Sequence, residues 1–368
     1  MYYRKRTARQ KAVESGDLFV EQGLKVLRTG GMLCFVLPEA LLHVKTHRVV
    51  RSLLLEQSHI RRVEYLGEVF DKVQCPSVIL AVEKRNGAKE TTGQKLAVIT
   101  DKRRFTISSE FSGQGINRFS EDGFLVGATE EEFAVLRKLS TIQNAVTLKG
   151  RAEFALGIVT GNNAKHLLKQ REDGSEPVLS GSDIERFRIK EVASFIRFAP
   201  ENYQQVAPVE RYRAPEKLLY RFVGAKPVFA YDDSQKLTLN SCNIVIPEVE
   251  GMDMRYIMAV FNSSVIEFWH RRVNHSMKLL RAHIEAFPIP EATQEQQQEV
   301  IHYVELLQEN ERELLKQPAK SEDAQSERIV NELCVAREKI YIRLDWKIAN
   351  LFELTDAEYE LVRMACEK

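Results

Sequence analysis

Gly30-Gly31-Met32-Leu33-Cys34-Phe35-Val36-Leu37-Pro38 is the stretch on which the fold of this 368-residue chain turns. The glycine pair suits the left-handed turn that ends a helix. The apolar run from Met32 to Leu37 has the length of a strand, and Pro38 stops it. A run that is apolar at both parities predicts a strand covered on both faces, as in a parallel sheet. Upstream, Asp17 serves as N-cap or first-turn acid of a helix through about Arg28, with Leu18, Phe19, Val20, Leu24 and Leu27 as its apolar residues. Downstream, Leu41 to Leu55 is helical, with Leu42, Val49, Leu53 and Leu54 near one face. Ile60 to Leu66 and Val78 to Val82 are strands joined through Gly67 to Pro76, a connection short enough to predict antiparallel pairing. This order reads as the tail of an α/β sheet.

Bulk properties narrow the function classes. Lys and Arg total 53 against 52 Asp and Glu, a net charge of +1, so any affinity for nucleic acid must come from local clusters. The five cysteines, at 34, 75, 242, 334 and 366, form no Cys-x-x-Cys pair, which argues against a zinc ribbon and fits buried thiols in a reducing compartment. No apolar run reaches the roughly 20 residues of a membrane helix. The basic start, Met1-Tyr-Tyr-Arg-Lys-Arg, is not that of a signal peptide. The expected location is the cytoplasm.

Beyond residue 84 the chain turns polar and glycine-dotted, and a domain boundary is expected within 84–130. Residues 151–290 are irregular, with one clear helix from about Arg255 to Arg271. After Pro288-Ile289-Pro290, residues 293–316 and 322–352 each predict a long amphipathic helix; Ile329, Leu333, Ala336, Ile340 and Leu344 form a seam for a partner helix. The pair predicts an antiparallel hairpin. The expected domains are 1–105, a linker at 106–150, 151–290 and 291–368.

Several segments taken together resemble the TaqI-like adenine methyltransferases of restriction–modification systems and their longer fused relatives. They are Gly30 to Pro38, Leu53-Leu-Leu55, Val63-Glu-Tyr-Leu-Gly-Glu-Val-Phe70 and Pro76-Ser-Val-Ile-Leu-Ala-Val-Glu83. Further on, Gly157-Ile-Val-Thr-Gly-Asn162, Val178-Leu-Ser-Gly-Ser-Asp-Ile184, Ala259-Val-Phe-Asn-Ser263, Leu280-Arg281 and Phe287-Pro-Ile-Pro290 resemble the specificity domain of that family. Leu344-Asp345 and Leu351 to Glu358 resemble the terminal helix of the fused type. The resemblance implies an α/β fold that is the C-terminal half of a class I methyltransferase sheet, then an α+β DNA target-recognition domain, then the helical hairpin.

The same resemblance points to missing parts. None of the 11 prolines is followed by another, so the Asn-Pro-Pro-Tyr catalytic motif is absent from this sequence. Gly113-Gln-Gly115 is its one Gly-x-Gly and lies in polar sequence without the strand-to-helix context of a methyl-donor loop. The expectation is therefore a chain that recognises double-stranded DNA for an enzyme using S-adenosyl-L-methionine, but binds no donor alone. A second chain, or a missing N-terminal half, would carry the donor-binding and catalytic motifs. The alternatives are a non-catalytic specificity subunit, disfavoured by the methyltransferase-like strands, and an inactive remnant.

No catalytic residue is expected in this chain. Phe70 is the expected base-stacking residue, because the family places an aromatic there near a flipped adenine; a core phenylalanine is the bland alternative. The expected DNA contacts are Lys102, Arg103 and Arg104, and the stretch Arg271, Arg272, Asn274, His275, Lys278 and Arg281, where phosphate-binding cations are interleaved with groups able to read base edges. Asn162 and Asn163 are a weaker choice, since a Gly-Asn turn needs no function. Arg4, Lys5, Arg6 and Arg9 form another basic cluster. His43 and His47 have a spacing metals can use but no evident third ligand. Glu64 and Glu68 receive no chemical role, because methyl transfer from a sulfonium depends mainly on positioning.

Overall fold

The computed structural model describes residues 14–71, 75–85, 95–100, 103–108, 116–274, 276–317 and 324–367. The chain divides into two compact units, Met1–Thr141 and Ile142–Lys368.

In the first unit, helix α1 (Ser15–Val26) leads through Gly30 into strand β1 (Met32–Pro38). Gly30 has a φ of +74°, which glycine adopts at no steric cost. Helix α2 spans Arg48–Gln57 rather than starting at Leu41, and two short 3-10 turns precede it. The reason is Arg51: buried, it donates to the carbonyls of Leu41 (2.7 Å) and Val44 (2.9 Å), which a continuous helix would need for its own ladder. Strands β2 (Ser58–Gly67), β3 (Ser77–Lys84), β4 (Lys95–Thr100) and β5 (Arg103–Ser108) follow. The sheet order is β1-β3-β2-β4-β5. Strand β3 is antiparallel to both neighbours, its pairing with β2 being what the short β2–β3 connection predicts, and the central strand β2 is parallel to β4. Val20 and Leu24 of α1 and Val50, Leu53 and Leu54 of α2 pack with Leu37, Val63, Val78, Leu80 and Val98 of the sheet.

Three expectations for this unit are corrected. The β1 strand is not covered on both faces: Met32, Cys34 and Val36 are exposed on one side, and among the described residues β1 pairs with β3 alone. Leu18 and Phe19 are exposed as well, since their helical positions point away from the Val20–Leu24 stripe. The stretch read as a linker, 106–150, carries the end of β5 and helix α3 (Glu130–Thr141). It buries Phe124, Val126, Leu136 and Leu139. Its polarity misleads because Arg118 is itself internal, donating to the carbonyls of Leu125 (3.1 Å) and Ala128 (2.6 Å) over the Phe133 ring.

The second unit contains strands β6 (Ala152–Ala155), β7 (Glu176–Leu179), β8 (Ile184–Glu185), β9 (Arg188–Ile189), β10 (Lys217–Arg221), β11 (Phe229–Asp232) and β12 (Cys242–Pro247). Its main sheet, β11-β10-β12-β6, is antiparallel throughout. The single helix expected from Arg255 to Arg271 is instead two, α4 (Met254–Phe261) and α5 (Ser264–Val273). Asn262 breaks the run: its amide pairs with both the N–H and the C=O of Phe229, each at 2.9 Å, so it acts as a strand partner at the edge of β11. Helices α6 (Gln294–Lys316) and α7 (Ala324–Leu351) are the expected pair, antiparallel by the ion pairs Arg337–Glu311 (2.8 Å) and Lys347–Glu299 (2.6 Å). A third helix, α8 (Asp356–Glu367), packs on α5.

Candidate nucleic-acid interface

Helix α5 and the segment after it hold most of the residues singled out in the sequence. The Ser263 hydroxyl caps the helix. The buried carboxylate of Asp345, on α7, accepts from the Ser264 N–H (2.7 Å) and hydroxyl (2.5 Å). Burial pushes that carboxyl up from its ordinary range. Val265, Ile266, Phe268 and Trp269 anchor the helix in the core.

Its last turn is polar but inward-facing. Glu267 is buried and accepts from Arg186 and from Arg271, the latter at 2.6 Å. Arg186 in turn donates to the Tyr341 hydroxyl of α7 at 2.6 Å. Arg271, expected as a phosphate contact, is therefore already engaged by a carboxylate. Arg272 lies 5.9 Å from the Phe268 ring centroid. The Asn274 amide is 3.0 Å from Nδ1 of His270 and so is partly engaged within the fold. Burial, with His283 alongside, lowers His270 to a pKa of about 4 and keeps it neutral near pH 7.

Beyond α5 the chain turns outward. Ser276 to Leu280 pairs with Phe222-Val223-Gly224: Gly224 N–H donates to Met277 O (2.9 Å) and Leu279 N–H to Phe222 O (2.8 Å). Backbone pairing thus presents Met277, Lys278, Leu280 and Val223, all exposed, with Arg281 next in line. Arg281 bonds Glu285 (2.8 Å) and sits 4.9 Å from the Phe154 ring centroid. Lys226, exposed just past the same loop, has Arg186 and Arg271 as charged neighbours, and sequence reasoning missed both it and Val223. No local signal reveals them, because the pairing joins positions some fifty residues apart, while Gly224-Ala-Lys-Pro227 reads as an ordinary turn.

The remaining candidates divide. Asn162 caps a short helix by accepting from Lys165 N–H (3.2 Å), and Asn163 accepts from the Thr160 hydroxyl (2.6 Å), so both serve the turn. In the first unit Arg103 is tied to Glu132 (3.0 Å), whereas Arg104 is exposed. Phe70 is 55% exposed, so it is no core residue here. His275, Lys102 and the cluster Arg4, Lys5, Arg6 and Arg9 lie outside the described residues, as does Gly113-Gln-Gly115. His43 and His47 do not share a helix; His47 is buried and bonded to Asp17 at 2.7 Å. No group of three metal-ligating side chains occurs among the described residues, and none of their helices is long and apolar enough to cross a membrane.

Residues 176–289 match the TaqI-like C-terminal specificity domain. The matched segment spans β7 through α5 and runs on past Arg281. The chain is also similar to type II methyltransferases. It is 25% identical over 179 residues to M.VspI of Vibrio sp. (strain 343), covering 47% of this chain and 40% of that one. It is 24% identical over 267 residues to M.TthHB8I of Thermus thermophilus, covering 68% and 55%. The chain thus spans about half the length of these curated relatives. Among solved structures, the Type IIL restriction-modification enzyme MmeI in complex with DNA superposes with a TM-score of 0.57 over 97% of this chain and 54% of that one. At 9% identity, that likeness speaks for the fold alone.

Proposed function

We propose that this chain supplies DNA sequence recognition to an adenine-specific DNA methyltransferase of a restriction–modification system, and that the specificity domain engages double-stranded DNA through the segment after α5. The observation that carries this reading is a coincidence of position: the family match contains the stretch where Lys278 and Arg281 stand beside exposed Met277, Leu280 and Val223. Cations bind phosphates and fix register, while apolar groups contact base edges and thymine methyls.

The test is duplex binding by the intact chain across a salt series. Affinity is expected to fall steeply with salt, and Lys278→Ala with Arg281→Ala to reduce the log–log slope by about two. Salt-independent binding, or an unchanged slope in the double variant, would remove the segment from the interface.

S-adenosyl-L-methionine is the methyl donor this reading implies, and the described residues do not fit it. A donor cradle needs a glycine turn open to a ligand. Gly157 and Gly181 are packed on main chain, where an added Cβ would lie 2.1 Å from Leu239 O and 2.5 Å from Ser241 O. Gly251, the open glycine between β12 and α4, has its carbonyl taken by the side chains of Gln294 (3.0 Å) and Gln297 (2.8 Å), and the helix after it is already capped by the Asp253 carboxylate. We therefore assign donor binding and transfer to a second chain or an N-terminal half whose strands extend the sheet beyond β1. Exposed Met32, Val36 and Phe19 support that reading. Phe70 would then stack on the extruded base, an interaction worth about 1–3 kcal/mol. The check is reconstitution. The chain with donor should leave DNA unmethylated, and adding the complementary half should restore transfer. Phe70→Ala should then cut kcat/KM about tenfold or more without changing the melting temperature. Methylation by the chain alone would refute the division of labour.

A further inference from the structure

A cavity of about 470 Å3 lies in the second unit among the β8–β9 hairpin, the end of β10, and helices α6 and α7. Five cationic side chains (Arg186, Arg188, Arg221, Lys226 and Arg337) line it with three carboxylates (Glu185, Glu311 and Glu338), an excess of two positive charges. The carboxylates do not answer every cation. Glu185 is taken by Arg188 and by Lys190, and Glu311 by Arg337 and Arg188. Arg186 is answered by Glu267 from outside the lining. Arg221 and Lys226 have no ion-paired carboxylate among the described residues. Arg221 donates only to the carbonyls of Gly181 (2.8 Å) and Ile184 (2.6 Å), which solvate the guanidinium without neutralising it. The Nε of Arg186 is buried and lacks an acceptor.

The backbone at this cavity is also unusual. Phe187, buried at the turn of the hairpin, holds a φ of +68°, a conformation costly for a bulky side chain. It is clamped there by Phe229 O, which accepts from its N–H (3.0 Å), and by Gln308, which donates to its carbonyl (2.8 Å). The clamp fixes Arg186 and Arg188 on either side of Phe187 at the cavity wall.

We propose that this cavity is a phosphate-binding pocket. A phosphate dianion matches the excess charge and offers the buried Arg186 Nε–H its missing acceptor. Arg221 supplies a fixed charge at the wall, and Lys226, on an exposed loop, closes over the anion. Two sources carry this chemistry. One is the DNA backbone, because Lys226 follows the loop that pairs with Met277 to Leu279, and this source rests on the DNA reading above. The other is a small phosphorylated molecule.

The experiment titrates inorganic phosphate into the intact chain at constant ionic strength, read by calorimetry and by melting temperature. Saturable binding is expected, weakened at least about tenfold in Lys226→Ala and restored to within about threefold in Lys226→Arg. No saturable binding by the parent chain, or equal binding by Lys226→Ala, overturns the proposal. A short duplex distinguishes the sources. If phosphate competes with the duplex, and the competition vanishes in Lys226→Ala, the anion belongs to the DNA backbone. Simultaneous binding of both assigns the pocket to a small molecule. The salt dependence of duplex binding is read separately, so failure of the DNA reading and failure of the pocket are distinguishable.

Discussion

Glu267→Ala is expected to destabilise the second unit by about 3–5 kcal/mol, because it strands two guanidinium groups around an interior site. The carboxylate, 5% exposed, is the partner of both Arg186 and Arg271. Arg186 is itself held by the Tyr341 hydroxyl at the cavity wall, where its side chain is only 16% exposed and recovers little hydration. For a unit of this size the loss corresponds to a melting temperature lower by on the order of 10 °C. Arg271→Ala should cost much less, about 1 kcal/mol, since it leaves the Arg186–Glu267 pair intact. In a double-mutant cycle on Arg186 and Glu267, the double variant should lose less stability than the sum of the two single losses. Denaturant unfolding that places Glu267→Ala within 1 kcal/mol of the parent would show that the network is not structural. The functional consequence follows from position. Glu267 tethers Arg271, so Arg271 is a weaker phosphate contact than its place in the basic stretch suggests.

Acid should weaken the same region through His270. Burial and the neighbouring His283 lower its pKa from 6.5 to about 4, and burial also lowers His283. Between those pH values the unfolded chain binds the proton and the folded chain does not, so stability rises with pH across the window. The contribution is fully present above pH 6.5 and is lost progressively as pH falls toward 4. The gap corresponds to about 3 kcal/mol. Chemical denaturation at pH 7 and at pH 4.5 measures it, and His270→Gln should flatten the difference. An equally steep acid loss in that variant would shift responsibility to other groups. Protonation would also take away the ring nitrogen that faces the Asn274 amide (3.0 Å), loosening the residue that leads into the exposed segment.

How much of this was legible beforehand depends on the range of the interactions. Strands β1, β2 and β3 and the long helices α6 and α7 follow from local apolar pattern and turn residues, and they stand close to where the sequence puts them. The failures are places where a distant side chain competes with the local ladder. Asn262 leaves its helix to pair with Phe229, and Arg51 takes carbonyls from the turns before α2. Arg118 hides in the interior of a stretch that looks like linker. The candidate site shows the same division. The run from Arg271 to Arg281 was visible as charge, but its inward half could not be told from its outward half. That distinction rests on Glu267, His270 and the pairing with Val223.

The carboxylate of Asp345 caps a helix that begins 81 residues earlier, beyond the point where the specificity match stops at residue 289. Anyone grafting this recognition module into a new host should therefore splice after the third terminal helix. A transplant cut at residue 290 would carry the reading head and leave its bracket behind.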